Sequence, residues 1–110
     1  MNTKMQLTTA DDLLKIPEDG FCYKLVRGEL RKIAPAGNQH GKRAMRLGSS
    51  LFQHVEANKL GNAYAAETGF RLSSNPDTVR APDVAFVNQK RVKQVGEPEG
   101  YWPGAPDLAI

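Results

Sequence analysis

The stretch Val79-Arg80-Ala81-Pro82-Asp83-Val84-Ala85-Phe86-Val87 constrains this chain more than any other. A proline and an acid open an apolar run rich in β-branched and aromatic residues, which is the pattern of a buried strand. Pro82 has no N–H to give a sheet ladder, so it belongs at the strand's first position and not inside it. Asp83 then stands at the strand mouth and shares a face with Ala85 and Val87, because strand side chains alternate. A carboxylate set against apolar neighbours is costly unless a cation, a metal or a hydrogen-bond donor satisfies it. Asp83 is therefore either a turn acid bonded to nearby backbone N–H groups or a ligand at a functional edge.

Upstream, Thr8-Thr9-Ala10-Asp11-Asp12-Leu13-Leu14-Lys15 predicts a short helix with Thr8 or Thr9 as N-cap and acids in its first turn. Pro17 blocks its extension, and Glu18-Asp19-Gly20 reads as a turn. Cys22–Val26 and Glu29–Ile33 flank Arg27-Gly28 and predict a hairpin. A two-residue loop sets Val26 opposite Glu29 and Leu25 opposite Leu30. Tyr23, Leu25 and Leu30 then share one face, and Glu29, Arg31 and Ile33 the other.

From about Gln39 to Asn58, Ala44, Leu47, Gly48, Leu51, Phe52 and Val55 recur at three- and four-residue steps, an apolar helical stripe. His40 lies in line with that stripe, so it is expected to point to the core side. Lys42, Arg43 and Arg46 fall on other faces. Gly61 is expected to close the helix. Ala63–Ala66 and Gly69–Leu72 read as strand pieces, and Ser73–Asp77 as a polar loop. Lys90–Lys93 reads as a basic connector, and Tyr101-Trp102 as a cover over the core. Pro106-Asp107-Leu108-Ala109-Ile110 echoes the Pro82-Asp83 strand, so a further buried strand is expected to begin there and the chain to be cut short.

At 110 residues, one domain spanning 1–110 is expected. Fifteen basic against twelve acidic residues give +3, which permits a polyanionic partner without demanding one; the counts are Lys+Arg 15 and Asp+Glu 12. The single cysteine, Cys22, forms no internal disulfide and fits a reducing compartment. Neither a signal-peptide core nor an apolar run of membrane-spanning length is present in the sequence, so a cytoplasmic protein is expected.

Five segments in order carry a resemblance. They are Tyr23–Leu30, His40 at the start of a long helix, Thr68–Leu72, Val79–Val87 and Gly104–Ile110. Together they resemble the bacterial putative restriction endonuclease family, a former domain of unknown function within the PD-(D/E)XK nuclease superfamily. The resemblance implies an α/β, restriction-endonuclease-like fold, a mixed sheet flanked by helices with metal-binding acids at one edge. It also implies that this chain is the N-terminal portion of such a domain, truncated at the C-terminal strand. Asp83 matches the Asp of the family's Pro-Asp motif, and Glu29 matches the acid of its Gly-Glu-Leu segment. The family's next acid falls immediately after Ile110, and its lysine later still.

The implied activity is Mg²⁺- or Mn²⁺-dependent hydrolysis of a DNA phosphodiester. Such chemistry needs a water placed in line and charge neutralised on the attacking and leaving oxygens. Asp83 and Glu29 would hold one ion, with His40 a site neighbour and Lys42, Arg43 and Arg46 holding phosphates. The 110-residue chain by itself is then expected to bind metal weakly and to cleave poorly. Each residue also has a plain role: Glu29 a solvated hairpin end, His40 a hydrogen-bonded helix start, and the three cations a solvated face. His54 and Asp107 are expected to be structural. The alternative to an enzyme is a noncatalytic nucleic-acid-binding or assembly module that keeps the fold. In either case a homodimer or larger homo-oligomer is expected.

Overall fold

The computed structural model describes residues 7–17, 19 and 21–110. Met1–Gln6, and Glu18 and Gly20 of the expected turn, lie outside the described residues.

The hairpin forms as its spacing requires. Arg27 and Gly28 sit at φ +50 and +79, the left-handed pair that a tight two-residue turn with the correct strand twist needs. β1 (Cys22–Val26) and β2 (Glu29–Ile33) pair antiparallel with Val26 opposite Glu29 and Leu25 opposite Leu30. Leu25 is fully buried, whereas Leu30 and every other residue of β2 are exposed. β2 is the edge of its sheet, so only β1 gains a covered face.

The Val79–Val87 run is two strands instead of one. β5 (Thr78–Arg80) and β6 (Val84–Asn88) belong to different sheets, and Ala81-Pro82-Asp83 carries the chain between them. Pro82 gives no ladder donor and pushes Ala81 to an extended conformation, which favours the break there. On either side of the break the apolar residues are covered, as the sequence leads one to expect: Val79, Val84, Ala85 and Val87 are all buried.

β5 pairs with β1 on one side and with β4 (Phe70–Ser73) on the other, both antiparallel. β4 also pairs in parallel with β7 (Trp102–Pro103), giving a five-stranded mixed sheet of order β2-β1-β5-β4-β7. β6 lies between β3 (Gly61–Ala65) and β8 (Leu108–Ala109) in a three-stranded antiparallel sheet. The β3–β4 connection and the β5–β6 connection therefore both cross between the two sheets.

Helices complete the α/β fold. In α1 (Ala10–Leu14) Thr9 caps the N-terminus, and the Thr9 and Asp12 side chains bond each other's backbone N–H at 3.1 Å. α2 (Asn38–Asn58) packs on β3, but the predicted stripe is only partly covered. Val55 is buried, while Leu47 and Phe52 are about half exposed, at 48% and 52%. The helix ends on Lys59, at φ +52, and not on Gly61. Gly61 opens β3 instead, where an added Cβ would lie 2.0 Å from the Val87 carbonyl oxygen. The Lys90–Lys93 segment is no connector but part of α3 (Gln89–Val95), because the Asn88 side chain accepts from the Arg91 N–H at 2.9 Å and starts a helix.

Two apolar clusters hold these layers. Ala10, Leu13, Leu25 and Val79 form one, and Phe70, Ala85, Val87 and Trp102 the other. Trp102 is 97% covered, as expected, with Tyr64 edge-on at 6.1 Å. The Arg91 guanidinium lies 5.5 Å from the indole centroid and bonds the Pro103 carbonyl. Asp107 has the structural role expected of it, its carboxylate accepting from the Asn88 N–H at 2.8 Å.

Candidate active site

β2 and β5 both run antiparallel to β1, so they leave the sheet at the same end. From β2 the chain passes through Pro35–Gly37 into the first turn of α2, which carries His40. From β5 it passes through Pro82 to Asp83. The two side chains meet there, with His40 Nε2 2.8 Å from Asp83 Oδ2. The Asp83 backbone N–H is occupied separately by the Ile110 carbonyl at 2.8 Å. The carboxylate's partner is thus an imidazole brought from another element, not a local backbone donor.

Both side chains remain accessible, 52% for His40 and 40% for Asp83. His40 therefore does not point into the core; it stands at the sheet end. The pair lines an open trough of about 620 Å³ between α2 and β3, whose other walls include Ala44, Gly48, Tyr64 and Ala66. α2 lines it with the small residues Gly41, Ala44, Gly48 and Ser49 and with Met45 and Phe52.

Glu29 is placed differently from the sequence expectation. It starts β2 beside the hairpin turn, and the Gly28 N–H bonds the Asp77 carbonyl just before β5. Asp83 lies beyond the opposite end of β5, so the strand directions hold these two acids apart. Glu29 lines no part of the trough and faces Arg31 at 3.6 Å on the exposed edge. The two acids expected to share an ion therefore stand at opposite ends of β5, because a hairpin has two ends and Glu29 is at the turn.

Lys42, Arg43 and Arg46 are all exposed on α2. The helix start beside them has no side-chain cap on Gly37 and no acid in its first turn. The partial positive charge that the first N–H groups of a helix carry, with the three cations, favours anions at this end of α2. His54 lies away from this end of the helix, near Asn58, whose side chain bonds its carbonyl at 2.9 Å.

Glu67, which matches no catalytic position in the sequence, also lies at this end of the sheet. It follows β3 at φ +70, is exposed, and accepts from the Cys22 thiol at 2.9 Å. That bond, with some desolvation and the negative charge, raises the Cys22 thiol above its usual range. No local pattern marks Glu67; only the sheet register does. Among the described residues, no three His, Cys, Asp or Glu side chains are gathered to hold a metal as they stand. Nor is any described helix long and apolar enough to cross a membrane.

A sequence-family model described as "Uma2: Putative restriction endonuclease" matches residues 10–110. No curated protein matches the chain.

Proposed function

The chain belongs to the Uma2 family of putative restriction endonucleases, and on that premise we propose that it carries part of a metal-dependent DNA endonuclease site centred on Asp83. The observation that carries this reading is the 2.8 Å contact between His40 Nε2 and Asp83 Oδ2 at the positive end of α2.

A hard divalent cation suits this donor set. Mg²⁺ and Mn²⁺ take oxygen ligands, keep several waters and need only one or two protein carboxylates. Asp83 would hold the ion, and His40, bonded to its other face, would fix the carboxylate's orientation as an outer-shell partner. When bound, the ion supplies charge neutralisation on a phosphodiester oxygen and a water more easily deprotonated. The open N–H groups of α2, with Lys42, Arg43 and Arg46, would hold neighbouring DNA phosphates.

A cytoplasmic homodimer fits the same picture. Leu47, 48% exposed on α2 and outside the trough, leaves apolar surface that a second copy would cover. Light scattering of the purified chain reports this directly; a monomer at high concentration counts against it.

The functional reading is tested by melting temperature with and without Mg²⁺ or Mn²⁺. An ion bound only by the folded chain raises it, and Asp83→Asn should abolish the rise. An equal rise in the variant contradicts the site. Duplex DNA binding with no metal response would favour the noncatalytic nucleic-acid-binding module.

A further inference from the structure

We propose that Glu67 is a further acid that joins Asp83 at the metal, displaced there from its resting partner Cys22. This inference rests on the functional reading above and names a ligand that the reading lacks.

Two independent strand registers lead to it. In the three-stranded sheet Ala65 pairs with Val84, so the chain leaving β3 passes the residue just before Val84, which is Asp83. In the five-stranded sheet Phe70 pairs with Arg80, so the chain entering β4 comes from beside Ala81 and Pro82. The two crossovers, 66–69 and 81–83, thus run past each other where the chain changes sheets. Ala66, the residue before Glu67, lines the same trough as Asp83 and His40. Glu67 is the acid on that crossover. Glu29, by contrast, sits beside the hairpin turn at the far end of β5.

The Glu67 carboxylate is turned toward Cys22, whose thiol donates to it at 2.9 Å. Both residues are exposed, so the carboxylate can rotate without unpacking the core. An ion at Asp83 offers it a stronger partner than a neutral thiol does. Coordination would then release Cys22 from its acceptor.

The test is a calorimetric titration of the chain with MnCl₂, comparing Asp83→Asn, Glu67→Gln and Glu29→Gln. Removing a ligand or its support commonly weakens metal binding by about 10- to 100-fold. Glu67→Gln should fall in that range, and Glu29→Gln should match the unsubstituted chain. A second measurement needs no variant: alkylation of Cys22 should accelerate as MnCl₂ saturates the site. The inference is overturned if Glu67→Gln binds Mn²⁺ as tightly as the unsubstituted chain, or if saturating Mn²⁺ leaves the Cys22 rate unmoved. Asp83→Asn separates the two levels. Loss of binding in Asp83→Asn with none in Glu67→Gln removes Glu67 alone, whereas binding that survives in Asp83→Asn removes the functional reading as well.

Discussion

His40 and Asp83 come from a helix start and a sheet crossover, and they touch at 2.8 Å while both stay about half exposed. An accessible pair of this kind adds little to stability, typically up to about 1 kcal/mol. His40→Gln should therefore leave the urea midpoint nearly unchanged. It should weaken Mn²⁺ binding by about tenfold, because the carboxylate loses the group that orients it. A large stability loss with intact metal binding would make the pair structural.

Glu67 is held at φ +70, a conformation unfavourable for any residue with a Cβ. Relief of that strain is worth about 1 kcal/mol, partly offset by the greater freedom of glycine in the unfolded chain. Glu67→Gly should raise the melting temperature while weakening Mn²⁺ affinity. Unchanged or lower stability would show that the turn carries no strain.

Where local chemistry decides an element it was legible in the sequence, though α3 over Gln89–Val95 was not. Thr9 and Asp12 announce α1, and the two residues between Val26 and Glu29 force the hairpin register. The partition into two sheets was not legible. Val79–Val87 is continuously apolar, and only the sheet pairing distinguishes a broken strand from a whole one. Asp83 and its neighbour His40 could be read from the family resemblance. The separation of Glu29 from Asp83 was not legible, because a one-dimensional motif does not say which end of a hairpin lies beside another strand's end. Glu67 matches no catalytic position in the sequence, and its placement on the crossover beside 81–83 follows only from two separate ladders.

At α1, the backbone N–H and hydroxyl of Thr9 hold the Asp12 carboxyl below the usual carboxylate range. A depressed carboxyl stabilises the fold above its unfolded-state pKa and loses that contribution as pH falls through the folded value. Acid titration of stability should accordingly be shallower in Asp12→Asn than in the unsubstituted chain. Thr9→Ala should cost about 1 kcal/mol at neutral pH by removing the cap. Urea unfolding across pH measures both; identical acid profiles would remove Asp12 from the account.

If Lys42, Arg43 and Arg46 contact phosphates, replacing all three with Gln should weaken duplex binding and flatten its salt dependence by about one unit of slope per lost contact. Fluorescence anisotropy at several salt concentrations reads the slope. An unchanged slope returns these residues to a solvated face.

Paramagnetic broadening of backbone amide signals by substoichiometric Mn²⁺ locates the ion directly. A metal held by Asp83 causes selective loss of signals around Asp83, Val84, Ala66 and His40, with Glu29–Arg31 least affected and the pattern absent in Asp83→Asn. Broadening centred on Glu29, or no selective broadening at all, would contradict a metal site at Asp83.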